Sequence, residues 1–348
     1  MKPIRTIFVL LCVMLCSCKK NPGLTDRFPH EISLSEIGYS IDPEELALVE
    51  GIQCNDSSLI IFDYHSGKSF TLLDLETGRY RGRFGQIGQG PGEISLGCYG
   101  IVEQNMFHIF FHPTGLLAKY DMDSLRHNID FRPSVLTKYD IPDAAFSQIH
   151  PISDSIFLGA GVCHSEYQYT LFDKRNSILN AGIEIYNARY FNFNTPNKFL
   201  SNQGRLRKHP GSNRFVYTLN YSANIDFFEV TDGNRIEAIN LLRQGNPRYN
   251  PVQNGKMSMV VPDLNSSFGY IDVSVSTDYV YALYTDRKVT EPCSSDIVLI
   301  YDWQGNPVKK YRLNREAYYI TTNEKLNRLF AAVKNEDGGW DITSYEMK

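Results

Sequence analysis

An all-β ring of six blades is the fold this sequence predicts, and three observations carry the prediction. Tyr and Phe are abundant, β-branched residues run throughout, and no long Ala/Glu/Lys/Leu-rich stretch shows helical period. Short apolar alternations recur at Leu59–Phe62, Met106–Phe111, Arg214–Tyr217 and Tyr279–Tyr284, with Asp/Gly-rich intervals that read as hairpin turns. Six times an aromatic or aliphatic residue precedes an acid near a polar turn: Leu73-Asp74, Tyr120-Asp121, Phe172-Asp173, Phe228-Glu229, Tyr301-Asp302 and Tyr345-Glu346. Those acids lie 47, 52, 56, 73 and 44 positions apart. A unit of about 40 to 55 residues holding several strands is the signature of a propeller blade. A two-sheet sandwich gives no reason for six similarly spaced hairpins.

The elements before the ring follow in order. Lys2 and Arg5 precede the apolar run Ile7–Leu15, and Leu15-Cys16-Ser17-Cys18 places small residues before a cysteine. Residues 1–17 thus read as a lipoprotein signal peptide, with Cys18 as the lipidated residue. The run is too short to span a bilayer core of about 30 Å. Residues 18–29, with Lys19-Lys20, Pro22, Gly23 and Pro29, read as a tether. Residues 30–348 read as one propeller with no second domain. Its last blade lacks an outer strand, because the chain ends two residues after Glu346. Glu31–Ile37, with Ile32 and Leu34 on one face, is predicted to fill that place and close the ring by removing two open edges.

Composition narrows the partners. Without residues 1–17 the chain carries 33 basic and 39 acidic residues, a net charge of −6. No basic excess is present to hold a nucleic-acid backbone. Cys54, Cys98, Cys163 and Cys293 are far apart and never form Cys-x-x-Cys, so metal-site spacing is absent. They pair in one of three ways or stay as free thiols.

The run Asp278–Tyr284, followed by Ile300-Tyr301-Asp302-Trp303-Gln304-Gly305-Asn306-Pro307-Val308, resembles the TolB-like six-bladed propeller lipoproteins of Gram-negative bacteria. Gly88-Gln-Gly90-Pro91-Gly92-Glu93 is similar to the glycine-rich blade connection of those proteins and of NHL-type propellers. The resemblance implies a fold and brings no catalytic set with it.

Conspicuous motifs have structural readings. The loop from Gly85 to Glu93 lacks the Lys-Ser/Thr and the following helix that phosphate binding needs, and Pro91 interrupts its backbone donors, so it reads as a link between blades that leaves Glu93 free to face the channel. His108 and His112 fall on a strand, where residues four apart are about 13 Å distant, too far to share a metal. Asp121-Met-Asp123 departs from a calcium loop at Leu125 and Arg126. Asn335–Gly339 reads as a hairpin tip. No Gly-x-Ser-x-Gly elbow is present, and no cofactor or metal is expected.

Two long strand-poor stretches are the candidate binding surface. Tyr186–Ser212 carries Arg189, Tyr190, Arg205 and Arg207, and Leu242–Phe268 carries Arg243, Arg248 and Tyr249. Loops longer than about 12 residues are often functional, and Arg and Tyr offer a polar ligand hydrogen bonds and a stacking face. Both are expected on one face of the ring, with the aromatic–acid turns opposite. The expected function is a binding or scaffold module for a glycan or an envelope protein, held to the membrane by its N-terminal lipid. An envelope enzyme acting on a glycan or lactone through a carboxylate or metal site in the central channel is the alternative. Lys19-Lys20 favours the periplasmic side over the cell surface.

Overall fold

A computed structural model describes residues 23–37 and 46–348, apart from 89, 91, 95–97, 112–113, 165, 187–192, 246–247 and 255–256. The signal sequence, Cys18, His112, Arg189 and Tyr190 therefore lie outside the described residues. Four blades are separate four-stranded antiparallel sheets. The first contains Val49–Cys54, Ser58–His65, Lys68–Asp74 and Tyr80–Gln86; the second Cys98–Glu103, Met106–Phe111, Leu116–Asp121 and Ser134–Lys138. The third contains Ala144–Pro151, Ile156–Cys163, Tyr167–Asp173 and Ile178–Glu184; the fourth Gly204–Lys208, Arg214–Leu219, Ile225–Val230 and Ile236–Leu242.

The fifth and sixth blades share a strand. Tyr270–Val275, Tyr279–Tyr284 and Ser295–Asp302 are followed by Pro307–Asn323, whose first half pairs with Ser295–Asp302 and whose second half pairs with Arg328–Lys334. Trp340–Glu346 then adds the third strand of the sixth blade. The N-terminal segment divides between these two blades instead of serving the last one alone. Glu31–Leu34 runs parallel to Lys310–Leu313 as an added strand of the fifth blade, and only Glu36–Ile37 lies antiparallel to Ser344 and Tyr345. Side-chain chemistry accounts for the split. Leu34 and Ile32 join Tyr311, Leu313, Tyr345 and Met347 in one apolar cluster, while Glu31 meets Lys310 at 3.2 Å and Arg312 at 2.9 Å.

The aromatic–acid repeat marks the same place in every blade, near the end of its third strand. Its apolar member is buried: Leu73, Phe172, Phe228, Tyr301 and Tyr345 are 0% exposed and Tyr120 is 1% exposed. Four of its acids fold the turn that follows. Oδ1 of Asp74 accepts from Thr77 N, that of Asp173 from Ser177 N, that of Asp302 from Gln304 N and Asn306 N, and Asp121 caps a short helix at Met122–His127. Such turns let an acid satisfy backbone donors that the strand leaves behind.

Apolar side chains fill the spaces between blades. Phe62, Phe70 and Phe84 of the first blade meet Phe107 and Tyr120 of the second, with Phe62 and Phe107 edge to face at 5.8 Å. Tyr169 of the third blade stacks on Phe228 of the fourth at 4.1 Å. Each such ring contributes about 1.5–3 kcal/mol by burial. The glycine-rich link after the first blade turns at Gly85, with φ +74°, where a Cβ would lie 2.7 Å from both Phe70 and Ile94. Glu93 accepts from Gly90 N at 2.7 Å within that link, so it is spent there and does not face the channel.

Candidate functional site

The first strand of each blade borders the central channel, and this is where polar residues interrupt the apolar pattern. Gln53, Tyr99, Glu103, His150, Arg207, Asp272 and Asn323 all sit on such strands. Neighbouring first strands are fixed by side chains as well as by blade packing. Gln148 Nε2 donates to Gly204 O at 2.7 Å, and Gln148 Oε1 accepts from Leu206 N at 2.5 Å.

A polar bar crosses the channel. Arg207 of the fourth blade donates to Tyr99 Oη of the second and, at 3.3 Å, to Asp272 Oδ1 of the fifth. Asp272 also accepts from Val273 N at 2.9 Å and from Ile320 N at 3.1 Å. On one side of the bar lies a chamber of about 470 Å³ and on the other a chamber of about 250 Å³, with Gln53 and Arg207 lining both.

The larger chamber opens among the turns that follow the first strands. Its rim is tied by Asn323 Nδ2, which donates to Asn55 O at 2.8 Å, and by Asn55 Nδ2, which donates to Gln104 O at 3.3 Å. In its wall Glu103 Oε1 accepts from Lys208 Nζ at 2.6 Å, and Glu103 Oε2 lies 3.5 Å from His150 Nε2. His150 Nδ1 is 2.9 Å from Pro151 O. A carbonyl oxygen only accepts, so Nδ1 carries the proton and the neutral ring turns a bare acceptor, Nε2, toward a carboxylate. Among the described residues Nε2 has no hydrogen-bond partner, although His150 is 1% exposed. Two acceptors facing each other leave a place for a donor.

The ionisation states fit this geometry. Burial works against the Glu103 charge, and the Lys208 ammonium bonded to it helps hold the carboxyl below its usual range. Burial pushes His150 down, against the pull of Glu103. His108, whose ring centre is 6.2 Å from that of His150, is pushed down to about 3 by burial and then by His150.

These histidines make stability fall on mild acidification. A group whose folded pKa is depressed contributes stability above its unfolded pKa and loses it as pH drops toward the folded value. For His108 that window runs from about 6.5 to about 3. The expected loss from this one ring between pH 7 and 5 is about 2 kcal/mol. Urea unfolding at the two pH values checks it. His108→Leu should flatten the dependence, and an unchanged slope would refute the assignment.

The predicted site residues are dispersed. The stretch 186–212 is not an open loop: it holds a helix at Thr195–Ser201 and the first strand of the fourth blade, which places Arg205 and Arg207 on the channel wall. The stretch 242–268 holds a hairpin of Tyr249–Asn254 and Met257–Pro262. Arg243 grips Asp226 with Nε at 3.1 Å and Nη2 at 3.0 Å, and it lies over the Tyr186 ring, so its role is to hold the two insertions to the ring. Arg248 is exposed, and Tyr249 stands edge to face with Tyr221 at 5.9 Å.

Strand direction sets both insertions on one face, since each follows the outer strand of one blade and precedes the first strand of the next. The aromatic–acid turns and the larger chamber belong to the opposite face. Glu103, His150 and Gln53 were not singled out by the sequence pattern. Their signal was a polar residue near the end of an otherwise apolar first strand, as in Ile101-Val-Glu103 and Ile149-His150. Cys54, Cys163 and Cys293 are free thiols. Among the described residues no group of three or more His, Cys, Asp or Glu is placed to hold a metal, and no helix is long and apolar enough to cross a membrane.

Blades of antiparallel strands around a polar, two-chambered channel define a β-propeller. The chain belongs to the TolB-like 6-blade propeller-like family, which matches residues 51–325. Its fold is similar to that of a protein from Bacteroides fragilis described as exported, with a TM-score of 0.52 at 13% identity, covering 90% of this chain and 98% of that one. A DUF4221 family member from Bacteroides vulgatus is also similar, with a TM-score of 0.51 at 10% identity, covering 88% and 95%. No curated protein matches the chain in sequence.

Proposed function

We propose that this protein is a lipid-anchored binding module of the cell envelope whose larger channel chamber takes a hydroxyl-rich ligand such as a glycan. One observation carries the reading. The Glu103 carboxylate and the bare His150 Nε2 stand 3.5 Å apart with no proton donor shared between them, in the wall of a chamber of about 470 Å³. A sugar hydroxyl donates to one acceptor of such a pair, and the Lys208 ammonium beside them donates to a ring or hydroxyl oxygen. The Gln53 amide, 7% exposed and lining the same chamber, supplies a further donor and acceptor. The anchor rests on Leu15-Cys16-Ser17-Cys18, and the envelope location agrees with the exported description of the B. fragilis protein.

Binding of soluble envelope and host oligosaccharides to the purified protein tests the ligand class. Glu103→Gln should weaken binding at least tenfold while the fold is retained. Equal binding by the variant overturns the assignment of the chamber. Product release during the titration would instead establish the Glu103–His150 pair as a base that activates water, the enzymatic alternative. Cell fractionation of Cys18→Ala tests the anchor, and unchanged membrane retention would defeat it.

A further inference from the structure

We propose that the smaller chamber, beyond the Arg207 bar, is a separate site for a compact oxyanion, a carboxylate or a phosphate group, received by Arg205. The chamber of about 250 Å³ is lined by Tyr99, Arg205, Arg207, Asp272 and Tyr319, with Glu50 exposed at its outer edge. Two guanidinium groups enter it, and a single buried carboxylate serves them. Asp272 is 2% exposed, and both its oxygens are occupied by Arg207, Val273 N and Ile320 N. Arg207 is thereby neutralised.

Arg205 has no such contact. Among the described residues no carboxylate lies within ion-pair distance of it, although Asp272 is near enough for its charge to favour the guanidinium, and its Nε is buried without a hydrogen-bond partner. Its guanidinium packs over the Tyr99 ring, 5.7 Å from the centroid. The other acidic groups beside it do not compensate the charge. Burial pushes the Cys293 thiol up to about 11 and the Tyr319 phenol up to about 12, so both stay protonated. A guanidinium whose fork makes no hydrogen bond within the described residues offers an oxyanion two parallel ones.

The remaining wall suits that anion. Tyr99 Oη already accepts from Arg207, which leaves its own proton to donate, and the Tyr319 hydroxyl makes no hydrogen bond within the described residues. Two phenols and a guanidinium fork thus present donors to one small volume, while the bar closes it from the glycan chamber. This chamber opens toward the face that bears the two insertions, so a ligand reaches it from the side opposite to the first site.

Calorimetric titration of the purified protein with inorganic phosphate and with glucuronate, at matched ionic strength in chloride, tests the proposal. Saturable one-to-one binding is expected for at least one probe. Preference for glucuronate points to a carboxylate source, and preference for phosphate points to a phosphoryl source. Arg205→Gln should weaken that binding at least tenfold. Should that variant fail to fold, Tyr319→Phe, which leaves every packed ring in place, decides through a loss of several-fold. Glu103→Gln should leave anion binding unchanged, which separates this site from the glycan chamber. Absence of saturable binding by either probe, or unchanged affinity in the deciding variant, overturns the proposal.

Discussion

Removal of residues 30–37 is expected to lower the thermal unfolding midpoint by roughly 10 °C, although the segment makes up a small part of the chain. Leu34 is 3% exposed and sits with Ile32 in the apolar cluster that seals the fifth blade to the sixth. Losing those two side chains removes about 3 kcal/mol of burial. The charge-assisted contacts of Glu31 with Lys310 and Arg312, and of Glu36 with Arg315 and Thr343, add about 1 kcal/mol more. Two strand edges also open, one on Lys310–Leu313 and one on Ser344–Tyr345. Differential scanning of the protein with and without the segment measures the effect. An unchanged midpoint would show that these pairings do not hold the ring.

Asp272→Ala should cost about 3–5 kcal/mol, the largest loss expected of any single substitution in the channel. The carboxylate is buried and supports three donors from three blades. Without it Arg207 becomes a second buried cation lacking a carboxylate, and Ile320 N loses its acceptor. Asp272→Asn keeps an oxygen for one of the two backbone donors but loses the charge, so it should fall midway between wild type and alanine. Chemical denaturation of the three proteins gives the order. Equal stability of Asn and wild type would mean that the Arg207 pairing contributes nothing.

The blades were legible in the sequence because each repeats a local necessity. A third strand must end on a buried side chain and then turn, and an aromatic followed by a turn-capping acid does both, as at Phe172-Asp173 and Tyr301-Asp302. The channel was not legible in the same way. Gly204-Arg-Leu-Arg-Lys208 has the polarity of a loop, yet it is a strand, because its two arginines face a chamber while Leu206 faces the space between blades. Period-two alternation was present there, but it alternated charge with apolar bulk over only five residues. The approach of Glu103 to His150 and Lys208 joins three blades, and no pattern within one strand encodes such a meeting. The split of the N-terminal segment was hidden for a related reason. Its apolar residues specify a buried seam, but not which of two adjoining edges they will cover.

The strand Pro307–Asn323 has a consequence for how the molecule breathes. Elsewhere in the ring the outer strand of one blade is joined to the next blade by a connecting segment, and a blade can in principle loosen while its neighbour stays closed. Here one uninterrupted strand belongs to both, and its bend is stapled by Asn314 to Glu36 N, by Arg315 to Asp341 and by Glu316 to Arg287. The fifth blade, the sixth blade and the N-terminal pairings therefore form one cooperative opening unit. Amide hydrogens on both halves of the strand will exchange with a common protection, set by the loss of two blades together. Local fluctuation is left to the other blades, which makes the seam where the N-terminal segment enters the rigid third of the ring.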